Sequence, residues 1–255
     1  MPRQEWNGAS YDRISGIQQT LGMAVLDRLA LDGGELVIDA GCGSGRITEA
    51  LLARLPHGRV IAVDGSSSMA RAAEGRLAAD CGPGGRVEIR VQDLLELSVS
   101  EPADAILSTA TFHWIADHAA LFARLHAALR PGGRLVAQCG GEGNIVGLRG
   151  RIAPLMRDTP YAKHFADWRA PWNYAAPEPT RERLLAAGFT AAECWLSPAP
   201  STPEQPREFL ATIVLGPHVQ RLPEELRERF MDDALGLLGN PVVIDYVRLN
   251  IDATS

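Results

Sequence analysis

Apolar residues along this chain fall into short runs separated by stretches of helical pattern. Five runs rich in Val, Ile, Leu and Ala, at 36–39, 59–64, 87–91, 103–108 and 135–139, read as strands. Between them, 47–55, 68–79 and 118–129 read as helices. Strand, helix, strand in this rhythm predicts a parallel sheet with helices on both faces. The Arg-Pro-Gly-Gly stretch at 130–133 is expected to stop one helix and launch the next strand.

After residue 140 the rhythm breaks. Residues 141–176 mix glycine, arginine and aromatics with weak periodicity, and a helix (180–187) and a strand (191–196) then resume. A second interruption, 202–240, reads as two helices near 206–214 and 224–238, and the chain closes on a β-rich run at 242–251. A helix over about 10–29 precedes the first strand. The expected division is a cover helix within 1–33, a ligand-binding core at 34–140 and 177–201, insertions at 141–176 and 202–240 lying over the sheet's ligand edge, and a last strand within 241–255.

Length and composition narrow the picture. At 255 residues and 46% hydrophobic, the chain can build one substantial core. No apolar run approaches the ~18 residues of a membrane span, and the opening Met-Pro-Arg-Gln-Glu-Trp-Asn-Gly lacks the apolar centre of a signal peptide. A cytoplasmic protein is expected. Cys42, Cys81, Cys139 and Cys194 are far apart with no Cys-x-x-Cys pair, so neither a metal site nor a disulfide framework is expected. A net charge of −6 without a basic run gives nucleic-acid binding no electrostatic support.

The chemistry starts at Val-Ile-Asp-Ala-Gly-Cys-Gly-Ser-Gly-Arg, residues 37–46. Glycines at 41, 43 and 45, between a strand and a helix, let bare backbone approach a ligand at the carboxyl ends of the strands. A triphosphate loop would need a lysine and has none. A dinucleotide loop would end in glycine where this one has Arg46. Asp39 would repel a pyrophosphate, but it suits a ligand carrying an ammonium and a sulfonium. Asp64, at the second strand's end, is placed for ribose hydroxyls, and Asp93, after the third, for an adenine amino group. The loop therefore reads as a binder of S-adenosylmethionine.

With those residues in view, the chain resembles the class I S-adenosylmethionine-dependent methyltransferases. Val-Ile-Asp-Ala-Gly-Cys-Gly-Ser-Gly is similar to their first motif, and the run ending in Asp64 to their second. The stretch around Asp93 is similar to the third, Ala-Asp-Ala-Ile-Leu-Ser-Thr-Ala-Thr-Phe-His-Trp-Ile to the fourth, and Leu-Arg-Pro-Gly-Gly-Arg-Leu-Val to the segment before strand five. The resemblance spans about 10–140 plus the terminal strands. It implies an α/β, Rossmann-like three-layer sandwich with a seven-stranded sheet, parallel except for its last strand, and helical lids. It also implies that Gly41, Gly43 and Gly45 face the methionyl part, Asp64 the ribose, Asp93 and Leu94 the adenine, and Ser108 the cofactor backbone. Asp39, Cys42 and Gly65 are grouped with this cofactor set, and Tyr11 as a cover over it.

Within that family the chain is most similar to methyltransferases of small carboxylic acids, such as the trans-aconitate, malonyl-carrier-protein and juvenile hormone acid enzymes. The last shares a Tyr-x6-Gln spacing, here Tyr11 and Gln18, and a His-Trp pair, here His113 and Trp114. By that resemblance Gln18 and Trp114 hold an acceptor carboxylate. The other readings are a solvated helix position for Gln18 and a core position for Trp114. His113 is the candidate general base, or else a packed histidine. A first insertion with Arg149, Arg151, Arg157, Lys163 and Arg169 beside Trp168, Trp172 and Tyr174 would suit an acidic, partly apolar acceptor. The expected activity is O-methylation of a small carboxylic acid. The alternatives are O-, N- or C-methylation of a specialised metabolite, or a non-catalytic module that binds the cofactor.

Overall fold

The computed structural model describes residues 16–255. Tyr11 and the first part of the expected cover helix lie outside them. Seven strands form one sheet in the order β3-β2-β1-β4-β5-β7-β6: β1 (Leu36–Ala40), β2 (Arg59–Asp64), β3 (Val87–Val91), β4 (Ala103–Thr109), β5 (Leu129–Gly140), β6 (Ala191–Pro198) and β7 (Val247–Thr254). Only β7 is antiparallel, pairing with β5 and β6 on its two sides. The strand order reverses between β1 and β4, the place where an open α/β sheet leaves a crevice at its carboxyl edge.

Both faces of the sheet are apolar because its central strands alternate between two cores. Val37, Val60, Ala62 and Leu107 pack against α1 (Gly16–Leu26), α2 (Arg46–Ala53) and α3 (Ser67–Arg76). Ile38, Ala40, Val63 and Ile106 pack against α4 (His118–Ala127) and Leu184. The four cysteines are free thiols, and no helix among the described residues is long and apolar enough to cross a membrane.

Two elements differ from the sequence expectation. The Arg-Pro-Gly-Gly stretch does not precede β5 but bulges out of it. Leu129 pairs with Ala103 and Arg134 with Ala105, and the intervening residues are extruded, with Gly132 at φ +76° donating its N–H to the Ser255 carbonyl at 2.8 Å. The last strand begins at Val247 rather than 242. Val242, Ile244 and Tyr246 turn into the core of the insertions instead of the sheet.

The two interruptions pack on each other as a third apolar cluster. It joins α5 (Val146–Ile152), α6 (Ala162–Phe165), a short α8 (Pro206–Phe209), α9 (Gly216–Arg221) and α10 (Glu224–Leu238); α7 (Pro177–Ala186) returns the chain to the sheet. The helix expected over 206–214 widens after Phe209 into a π turn, Leu210–Val214, which faces the cleft described below. At the centre, Phe230 is wedged among Tyr161, Phe165 and His218, with ring centroids 5.3, 5.8 and 6.4 Å away.

Burial, with Arg149 adding to it, pushes His218 down to about 3. In an unfolded chain the ring titrates near 6.5. The unfolded chain therefore binds one more proton between those values, and acidification from pH 7 to 5 removes stability, about 2 kcal/mol from this ring. A His218→Phe variant keeps the ring packing and should lose less Tm over that interval than the parent in a calorimetric scan. Equal losses would show that His218 is not held neutral by the fold.

Candidate active site

The carboxyl ends of β1, β2 and β4 open into a cleft of about 950 Å³, roofed by the insertions. Its floor is the glycine loop after β1. The Gly41 and Cys42 N–H groups both donate to the Val63 carbonyl, at 2.8 and 3.0 Å, and fasten the loop to β2. Gly41 (φ +90°) lies against Thr111, whose Oγ1 would be 2.0 Å from an added Cβ, so only glycine fits there. Gly43 (φ +54°) differs: nothing lies within 4 Å of where its Cβ would point, and the residue lines the cleft.

Asp64 stands at the tip of β2 and holds this loop. Its Oδ2 accepts from the Gly43 N–H at 2.9 Å and its Oδ1 from the Ser66 N–H at 2.8 Å. Burial raises its carboxyl above the ordinary range while those two donors pull it back. Asp93 caps the single turn after β3, accepting from the Leu95 N–H at 3.0 Å, and it lines the same end of the cleft with Gly65 and Leu94.

Four of the expected cofactor residues brace the wall without lining it. β1 runs one residue past Asp39 to Ala40, and alternation turns Asp39 away from the strand tips toward α2. There it is buried, its Oδ2 accepts from Thr48 Oγ1 at 2.6 Å, and its Oδ1 has no partner. Burial and the nearby Asp64 push its carboxyl up to about 6 against the opposing Thr48 hydrogen bond. Ser108 donates to the Ala40 carbonyl at 2.6 Å. Cys42 is buried in the core under the loop, and Gly45 gives α3 room, with Ala73 atoms 3.2 Å from its would-be Cβ.

The other end of the cleft lies over β4, β5 and β7. Gln18 lines it, its amide Nε2 3.4 Å from the Tyr246 hydroxyl and its Oε1 buried without a partner. Trp114 lines it too, half-buried rather than in the core, tilted against His113 (5.1 Å) and Trp172 (6.1 Å). Trp172 and Tyr174 stack in parallel at 5.8 Å and form the opposite wall, whereas Trp168 packs on His218 inside the insertion. Burial pushes the Tyr174 phenol up to about 12, so it stays protonated.

His113 is not placed to act as a base. Its Nδ1 accepts the Gly140 N–H at 3.2 Å, so the neutral ring carries its proton on Nε2 and is a donor. Burial, then the charges of Arg248 and His118, press its pKa down to about 3. Of the locally cationic first insertion, only Arg149 comes near, its guanidinium carbon 5.8 Å over the Trp172 ring from outside the cleft. Arg149, Arg151, Arg157, Lys163 and Arg169 are exposed and none lines the cleft; Arg151, for one, donates to the Leu238 carbonyl at 3.0 Å. The buried cation of the cleft is Arg248 on β7, and sequence reasoning passed over it. A signal was present in Val-Arg-Leu-Asn-Ile: polar residues at alternate positions of a run read as a strand.

Comparison with known proteins bears on the family and the fold. A family model described as a methyltransferase domain matches residues 37–133. A trans-aconitate 2-methyltransferase of Azoarcus sp. is 32% identical over 232 residues, 86% of this chain and 84% of that protein. The same-named protein of Acidovorax ebreus is 34% identical over a shorter stretch, 52% of this chain and 49% of its own. Among solved structures, phosphoethanolamine N-methyltransferase 2 of Haemonchus contortus superposes with a TM-score of 0.63 at 19% identity, over 97% of this chain and 56% of that one, which speaks for the fold alone. A fastened glycine loop, an acid at the tip of β2, a seven-stranded sheet with one reversed strand and a relative matched over most of both chains converge: this chain belongs to the class I S-adenosylmethionine-dependent methyltransferases.

Proposed function

We propose that this enzyme transfers the methyl group of S-adenosylmethionine to a carboxylate oxygen of a small-molecule acid. The observation that carries the reading is His113. A hydroxyl or ammonium acceptor needs a base, and the imidazole at the acceptor end of the cleft is a proton-bearing donor. The Tyr174 phenol beside it also keeps its proton. A carboxylate, ionised above pH ~4, is a nucleophile without help. Trans-aconitate, the acceptor in the relatives' names, belongs to this class.

The cleft's residues fit both ligands. Gly43 leaves open the space a Cβ would fill, and the acids Asp64 and Asp93 sit where ribose and adenine would need acceptors. The cofactor supplies a sulfonium-activated methyl carbon and a neutral thioether leaving group. Gly41 and Gly43 offer backbone to the methionyl part. Asp64, held by its two N–H donors, accepts from the ribose hydroxyls, and Asp93 with Leu94 and Gly65 borders the adenine. Asp39, Ser108, Cys42 and Gly45 keep the loop in shape from beneath. Gln18, Trp114 and the His113 Nε2–H orient the acceptor, and the segments 141–176 and 202–240 act as lids that exclude water. Holding the two groups in line is the protein's main contribution, worth about 7–11 kcal/mol when alignment is good.

The reading is tested with methyl-labelled S-adenosylmethionine, trans-aconitate, and a pool of small acids, phenols and amines. Mild alkali should release the label as volatile methanol, as expected of methyl esters. The kcat/KM should stay level from about pH 6.5 to 8.5, because neither the acceptor nor His113 titrates there. Alkali-stable label, or an ionisation near pH 7 that disappears in His113→Asn, would overturn it.

A further inference from the structure

Arg248 is a buried cation without an anion among the described residues. The residue is 4% exposed, yet it lines the cleft. Its Nε is buried with no hydrogen-bond partner, and no carboxylate among the described residues pairs with it. Its guanidinium carbon lies 4.2 Å over the Tyr246 ring, a contact that offsets only part of the cost of burying a charge. The nearest acid along the chain, Asp245, is already engaged by the Gly147 and Leu148 N–H groups at the start of α5. Buried guanidinium groups are ordinarily paired, so a ligand is the partner this one lacks.

Strand order places that partner. Arg248 pairs in register with Gly140, the residue whose N–H is bound to His113, and so sits at the carboxyl edge of β5 and β7. Asp64 and Asp93 lie at the tips of β2 and β3, on the far side of the glycine loop. The acids thus face one end of the cleft and the guanidinium the other.

We propose that Arg248 is a specificity-determining residue that anchors a second, non-reacting carboxylate of the acceptor, so that the enzyme selects di- or tricarboxylic acids over monoacids. The inference rests on the carboxylate reading above. A guanidinium fork on the attacking carboxylate would draw charge from the nucleophile. On a distal one it fixes position and leaves the reacting oxygens free.

The test uses matched straight-chain acids, butanoate with butanedioate and hexanoate with hexanedioate, together with trans-aconitate. Turnover is measured in the parent, Arg248→Met and Arg248→Lys, and calorimetric binding of the same acids is measured with S-adenosylhomocysteine present. The parent should bind and methylate the diacids and trans-aconitate in preference to the monoacids. Arg248→Met should lower kcat/KM and affinity for the polyacids by about 10²-fold or more and change monoacids less than about 3-fold. Arg248→Lys should recover part of the loss. S-adenosylhomocysteine affinity should be unchanged and Tm no lower, because relief of an unpaired buried charge outweighs the lost contact with the Tyr246 ring and methionine keeps the stem's packing. Equal losses on mono- and polyacids, weakened S-adenosylhomocysteine binding, a lower Tm, no preference for polyacids in the parent, or no binding of any polyacid would each overturn the proposal. Alkali-stable label in the parent instead marks failure of the carboxylate reading, and it is seen before any variant is made.

Discussion

Replacing Asp64 with alanine is expected to weaken S-adenosylmethionine binding by about 10²-fold or more. Each hydrogen bond to an ionised acceptor is worth roughly 1.5–3 kcal/mol, and two ribose hydroxyls would lose theirs together. The same carboxylate also accepts from the Gly43 and Ser66 N–H groups, so its removal frees the loop as well as the ligand contact. An Asp64→Asn variant separates the two. Its amide can keep one loop contact, but its NH₂ opposes the other donor, so an intermediate loss is expected. Titration calorimetry with S-adenosylhomocysteine reads both. Binding within about 3-fold of the parent in Asp64→Ala would remove Asp64 from the cofactor site.

Phe230→Ala is expected to destabilise the protein by about 3–5 kcal/mol, the usual cost of emptying a buried phenylalanine site. Phe230 is fully buried and touches the rings of Tyr161, Phe165 and His218, which tie α6, α9 and α10 together. His218 in turn lies 5.8 Å from Trp172 on the cleft wall. Slackening this cluster should therefore impair turnover well before it impairs cofactor binding, because the glycine loop and Asp64 stand on strands whose side chains pack in the other two cores. Chemical denaturation measures the stability loss, and a comparison of kcat with S-adenosylhomocysteine affinity measures the split. A variant that loses cofactor binding and turnover in step would show that the insertions and the sheet unfold as one unit and share both functions.

The run at 59–64 defines its strand because a strand buried on both faces needs unbroken apolar sequence, and 87–91 does so by the alternation of a half-exposed edge strand. Local chemistry was equally legible at the glycine loop, where positive φ at 41, 43 and 45 demands that residue type. Side-chain direction was less so. Asp39 reads as a strand-end ligand in one dimension, but one further strand residue turns it toward Thr48. His113 reads as a base until its Nδ1 is found on the Gly140 backbone, 27 residues away.

The sequence by itself determined the class of the protein. The strand–helix rhythm, the glycine loop and the acids at 64 and 93 are local features whose spacing needs no partner from elsewhere in the chain. The tertiary structure decided the end of the cleft opposite Asp64 and Asp93. There the wall is built from Gln18 on the first helix, His113 and Trp114 after β4, Trp172 and Tyr174 in an insertion, and Arg248 on β7. The buried guanidinium at that end sits on the antiparallel β7, whereas the arginines of the first insertion are exposed. Which arginine is buried depends on β7 pairing with β5 and β6 on its two sides, at Gly140 and Ser197 for Arg248, and the alternation in Val-Arg-Leu-Asn-Ile does not specify those partners.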